Sequence, residues 1–254
     1  MKNLILIFFI LFFVGTLQAQ ELDEGQVHGY IVDNDSNKKE GILEMTVNHP
    51  WKNQRNITFI DKKKWESGDK IKKKDSKKFK TKDLVEFGTT NGERIFKKIK
   101  YVNTKAMSES NGNKKLGRFN KLTSLASNAK SSYFAELIQS GTMSMYRFYD
   151  TPAAVTVSSG SGTEELDDLR EKARNNYDVI VVKGDDKAKS FDGINVKKYF
   201  KDCKEVVEKF KNKEYIKQPV KGIKSMVGQA LVRGFKLEES TKQIVDDYNK
   251  LCGS

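Results

Sequence analysis

Four residues of this 254-residue chain could do thiol or metal chemistry: Cys203, Cys252, His28 and His49. A cysteine nucleophile needs a neighbouring base, most often an imidazole, to hold it as the thiolate. A structural zinc site needs ligand pairs at short local spacings. Neither pattern is present, because the cysteines are far from each other and the histidines lie far upstream in a strand-rich region. No catalytic residue, metal ligand set or cofactor is therefore expected. The chain has 34 aspartates and glutamates, and two carboxylates at a working distance could run a hydrolysis, but no spacing fixes such a pair. The run Ser158-Ser159-Gly160-Ser161-Gly162 looks like a phosphate cradle, yet it lacks the following lysine and serine or threonine, and residues 164–168 are acidic. It reads as a flexible excursion.

Two cysteines can still do one thing together, which is to form a disulfide. The elements that must position them are helical. Val196, Tyr199, Phe200, Cys203, Val206, Val207 and Phe210 recur at steps of three and four, one face of a helix. Asn195 can cap its start, and Asp202 with Glu205 can form a capping box, so the helix is expected to kink or restart near Asp202. Leu237, Thr241, Ile244, Val245, Tyr248, Leu251 and Cys252 form a second stripe. Glu238 and Glu239 suit the start of that helix, and Gly253 suits a left-handed stop. If both stripes face one core, the sulfurs can meet. The bridge would close a loop of about 50 residues, a constraint valued at about 4 kcal/mol on the chain-entropy argument. Two buried free thiols are the alternative, and the compartment decides between them.

The compartment is read from the first 19 residues. Lys2 is followed by an apolar run over residues 4–14, too short for a membrane-spanning helix, and then by small residues up to Ala19. This is the pattern of a secretory signal, with the mature chain expected to begin at Gln20. A signal anchor fits less well because the run is short. Export implies an oxidising environment, in which paired cysteines form and persist. No later stretch is long and apolar enough to span a bilayer.

The net charge is +13, and Lys2 supplies one unit of it. Lysine carries nearly all the positive charge. It is a hydrated point charge and a poor bidentate reader of bases, so specific nucleic-acid binding is not expected. Two segments are candidates for contact with an anionic surface. One is residues 62–82, with Lys62, Lys63, Lys64, Lys72, Lys73, Lys74, Lys77 and Lys78 interleaved with Trp65 and Phe79. The plainer reading is a solvated loop whose field is diluted by Asp61, Glu66, Asp69 and Asp75. The other is Lys221, Lys224 and Arg233 beside Ile223, Met226, Val227, Ala230 and Leu231, which is an amphipathic helix or a mobile insertion between the two C-terminal helices. Gly228 weakens that helix.

The rest of the chain reads as strands. Strand patterns run over residues 26–32, 41–47 and 56–61. Hairpins are expected over residues 83–102, around Asn91-Gly92, and over residues 132–150, around Ser140-Gly141. Residues 177–183 form a buried-type strand, with a short partner over residues 188–191. The predicted fold class is α+β: an antiparallel, hairpin-rich body, either a small sheet or a partly open barrel, with C-terminal helices packed against it. The expected division is a signal peptide at 1–19, a β-rich body at 20–192 with polar loops at 62–82, 104–128 and 151–176, and a helical segment at 193–254 within the same domain.

The signal ending at Ala19-Gln20 and the strands at residues 29–32 and 40–43 follow a recognisable order. With residues 58–61, 82–88, the helix at 199–203 and the final helix at 248–252, the chain resembles uncharacterised exported proteins common in Bacteroidota. The resemblance implies export and a paired-cysteine C-terminus, and carries no activity. The functional expectation is a non-enzymatic envelope or secreted module whose partner is an envelope protein or polymer. The alternatives are binding to lipid head groups or a polyanion through the lysine segments, and a carboxylate-based hydrolase.

Overall fold

The structure is a computed structural model that describes residues 21–46, 49–102, 132–149, 177–215 and 226–253, and the backbone alone over 226–236. The signal segment, the loops expected at 104–128 and 151–176, and Lys221 and Lys224 lie outside the described residues. Ten strands form one antiparallel sheet: β1 (Gln26–Asp33), β2 (Lys38–Glu44), β3 (Asn56–Asp61), β4 (Ser76–Lys80), β5 (Leu84–Thr89), β6 (Ile95–Ile99), β7 (Tyr133–Gln139), β8 (Met143–Tyr149), β9 (Tyr177–Lys183) and β10 (Lys189–Ser190). Their spatial order is β10-β9-β8-β7-β6-β5-β1-β2-β3-β4. The sheet is open, with β10 and β4 at its edges, and it is large rather than small.

Alternation decides which residues face which way. One row across the sheet runs Ile31, Phe87, Phe96, Glu136, Arg147 and Val179, each beside the next. On this inner face Phe87 stacks on Phe96 at 4.9 Å and meets Phe134 edge-on at 5.0 Å. Leu43, Ile57 and Phe59 continue the same buried cluster over β2 and β3. The face is buried because the sheet curls. Gln54, two residues before β3, donates from Nε2 to the Tyr149 carbonyl at 2.9 Å and accepts from the Tyr149 N–H at 2.5 Å. Its own carbonyl accepts from the Phe134 N–H at 2.9 Å. β3 and β8 are six strand positions apart, roughly 29 Å on a flat sheet. Hydrogen bonding between their ends requires strong curvature.

Five α-helices and a 3-10 turn (Phe191–Gly193) complete the described chain: α1 (Pro50–Asn53), α2 (Lys62–Glu66), α3 (Val196–Tyr199), α4 (Lys204–Lys211) and α5 (Met226–Leu251). α3, α4 and the C-terminal part of α5 cover β8 and β9, with Phe200, Cys203, Val206, Ile244, Val245 and Tyr248 buried against Met143, Met145, Val179 and Val181. The expected break in the first C-terminal helix is present, between Tyr199 and Lys204, and Asn195 accepts from the Lys198 N–H as its cap. The capping box at Asp202 is not formed. Cys203 takes the N-cap position without a side-chain bond, because Asp202 is drawn to Lys183 at 2.5 Å and to the Tyr248 hydroxyl at 2.8 Å. The second C-terminal helix starts earlier than its apolar stripe suggests, so Glu238 and Glu239 are interior to it rather than at its positive end. Gly253 is not left-handed. Instead the C-terminus is fastened to the β7–β8 turn, where Thr142 Oγ1 donates to the Gly253 carbonyl at 2.5 Å.

The polar loop expected at 62–82 is structured. It holds α2, begun by Asp61 accepting from the Lys63 N–H, and the edge strand β4. Trp65 is 7% exposed and packs with Ile42 and Ile60 on the outer face, and Phe79 meets Phe59 on the inner face. Both aromatics are anchors of the fold, which is why a segment so rich in lysine takes a fixed course.

Candidate functional site

Cys203 and Cys252 are joined, with S–S 2.05 Å and Cα–Cα 5.8 Å. Cys203 is buried in the cluster that the helices form on β8 and β9. The Glu205 carboxylate lies 3.9 Å from one sulfur and 3.7 Å from the other. Among the described residues these are the three potential metal donors that come within 4.8 Å of one another. With both sulfurs engaged in the bond no thiolate is present to ligate a metal.

The charges around the clasp hold the helices to the sheet and to one another. Asp202 takes Lys183 and Tyr248; Asp247 takes Lys209 at 2.9 Å and the Tyr215 hydroxyl at 2.7 Å. In both aspartates burial pushes the carboxyl up, but the bonds from lysine and tyrosine outweigh it and hold the carboxyl below its usual range. Deeper in, Arg147 on β8 forks onto Glu238 of α5, with Nε to Oε2 at 2.8 Å and the second nitrogen to Oε1 at 2.5 Å. Burial raises the Glu238 carboxyl, and the Arg147 and Tyr177 bonds more than reverse that. Tyr177 is pushed up to about 12 by burial and by its bond to Glu238. Glu136 on β7 accepts from Arg94 at 2.7 Å and, on its other oxygen, from the Tyr149 hydroxyl. These pairings neutralise one another inside the fold.

The lysine segment is distributed along one edge. Lys62 pairs with Glu40 at 3.3 Å and Glu66 at 4.0 Å, and Lys64 with Asp69 at 2.7 Å. Lys63, Lys72, Lys73, Lys74, Lys77 and Lys78 are exposed, the last two on β4. Arg233 lies in the backbone of α5.

Two surface clefts stand out among the described residues, and neither was singled out by the sequence. The larger, about 780 Å³, lies at the start of β1 and the end of β2 and is lined by Asp23, Glu24, Glu44, His49 and Lys52 among others. It gathers acidic groups, though no three donors there meet within metal-binding distance among the described residues. The second, about 660 Å³, lies between the end of β6 and the β9–α3 segment, lined by Lys183, Lys189, Lys198, Lys201, Asp186 and Tyr199 among others. Its four lysines come from a strand, an edge strand, a helix and an interhelix turn, so no run of charge announces them.

No protein-family model, curated protein or solved structure matches this chain. The class rests on geometry alone: a disulfide-clasped, curled antiparallel sheet with helices on one end. Among the described residues no helix is long and apolar enough to cross a membrane.

Proposed function

We propose that the chain is an exported, non-enzymatic binding module of the cell envelope or its surroundings. The observation that carries this reading is the way the internal charges are used. Arg94 with Glu136, Arg147 with Glu238, Lys183 with Asp202 and Lys209 with Asp247 tie elements together, whereas a catalytic acid or base must keep a lone pair or proton for a substrate. The Cys203–Cys252 bond supports export. The test is capture from envelope extract with the tagged, oxidised protein. A reproducible protein or polymer partner is expected, and an empty capture at several salt concentrations overturns the reading.

A second reading is favoured by the exposed lysines on and beside β4. Lysine on an edge strand guards against edge-to-edge pairing, and the same row can lie against an anionic surface. Binding to anionic vesicles should then weaken steeply as salt rises. Replacing Lys73, Lys74, Lys77 and Lys78 by serine should abolish it, and undiminished binding removes this reading.

A further inference from the structure

We propose that the cleft between the end of β6 and α3 is a binding site for a compact phosphate-bearing group, held by Lys189, Lys198 and Lys201 against the wall that Tyr199 and Lys183 form. This inference rests on the reading of the chain as a binding module and names the chemistry of its ligand.

The cleft gathers four lysines against one aspartate, Asp186. Like charges brought to one concavity repel, and the concavity concentrates their field. Lys183 and Lys189 lie over the ring of the same residue, Tyr199, at 5.7 and 4.6 Å from its centroid. Lys183 already has its counter-ion in Asp202 at 2.5 Å, so its role is to hold the wall. Lys189, Lys198 and Lys201 are exposed. The Tyr199 hydroxyl is buried and has no hydrogen-bond partner. That hydroxyl is sealed from solvent, so the wall presents the ring face, over which Lys183 and Lys189 lie, and not the hydroxyl. The lysine segment at 62–82 differs: its lysines are spread over α2, the connection that follows and β4, and Lys62 and Lys64 on α2 are paired with carboxylates. Three ammonium groups at one concavity suit a group that carries two or more negative charges on closely spaced oxygens, and phosphate esters do. Lysine acts there as a point charge, so the site selects charge density more than shape.

The source of the phosphate, free or on a lipid head group, is separated by the choice of probe. Calorimetry with inorganic pyrophosphate tests the free group. Sedimentation with phosphatidylcholine vesicles containing phosphatidylglycerol tests the lipid one. Binding of at least one probe is expected, and it should fall about tenfold or more in Lys189→Ser/Lys198→Ser, which removes two of the ammonium groups that face the ligand. It should fall several-fold with a fourfold rise in salt. Both lysines are exposed, so the thermal midpoint should hold; if the double variant does not fold, Lys198→Glu alone gives the same reading. The β4 variant Lys77→Ser/Lys78→Ser should bind like the parent. Binding of neither probe, or binding that survives the cleft variant, overturns the proposal. Envelope capture by the cleft variant separates the two levels: the same partners as the parent leave the binding module standing and remove the cleft, whereas no partners with the parent remove the module.

Discussion

The two halves of the sheet bury the same face by different means. From β7 to β10 the cover is external: helices lie on Met143, Met145, Val179 and Val181, and a covalent bond with two lysine–aspartate–tyrosine sets fastens them. From β1 to β6 the cover comes from curvature, with Phe87 and Phe96 closing on Leu43 and Phe59, Phe134 of β7 joining them at the boundary, and Gln54 fastening the curl to β8. The first half is built of distant segments brought together late in the chain. The second is built of neighbouring hairpins joined by one long-range pairing, β1 against β5, with Gly29 opposite Thr89. A disulfide contributes most where loop closure is expensive, and it is found in the half that needs it.

That contrast can be broken most forcefully in the self-covered half. Phe87 has no exposed surface, and Phe87→Ala should cost about 3 to 5 kcal/mol in urea unfolding, with the oxidised clasp intact. A loss under 1 kcal/mol would show that the curl does not depend on its aromatic centre. Next, replacing both cysteines by serine should remove about 4 kcal/mol. Amide exchange should show protection lost first in α4 and the C-terminal turns of α5, with β1, β2 and β5 last. Equal loss across both halves would erase the distinction. Gln54→Leu should cost roughly 2 kcal/mol, because two Tyr149 backbone groups are left without partners in a buried place. The fourth test is pH. The carboxyls of Glu238, Asp202 and Asp247 are all lowered in the folded chain. A lowered carboxyl adds stability above its unfolded value, and that stability is lost as pH falls through the folded value. Acid unfolding should therefore begin below about pH 4 and start in the helix-covered half, as followed by exchange. A loss that begins above pH 6 would contradict the sign. The smallest effect is expected from Lys63→Ser on α2, within about 0.5 kcal/mol, since its side chain is exposed.

Much of this architecture was legible because period and punctuation are local properties. Strand patterns marked β1, β3, β8 and β9 nearly to the residue, whereas β2, expected over residues 41–47, runs Lys38–Glu44; Asn91-Gly92 marked the β5–β6 turn, where Gly92 takes φ +75°. The pairing of Cys203 with Cys252 followed from two helical stripes and an expected oxidising compartment. What was not legible is tertiary. Trp65 and Phe79 sit among lysines, and charge density made residues 62–82 look like a loop; only the partners Ile42, Ile60 and Phe59 turn them into anchors. Glu238 looked like a helix-start acid because its partner Arg147 is far away in sequence. The size of the sheet depended on whether successive hairpins join, which no single hairpin encodes. The cleft lysines at 183, 189, 198 and 201 are scattered, and their convergence exists only after β10 and α3 turn back on β9.

One strand is held at both ends by side-chain amides. Gln54 pairs with the backbone of Tyr149, and Asn249 pairs in the same way with Met143, donating to its carbonyl at 2.9 Å and accepting from its N–H at 2.8 Å. Gly141 leaves the room for that approach, since a Cβ there would stand 2.3 Å from the Asn249 amide nitrogen. Two residues nearly 200 positions apart thus act as the jaws of a caliper set to the seven residues of β8. A one-residue insertion or deletion between the jaws would turn every side chain in the shifted part to the opposite side, taking Met145 and Arg147 from the helices and presenting Tyr146 and Phe148 in their place. The caliper lets a strand with bulky side chains on both faces keep a single register.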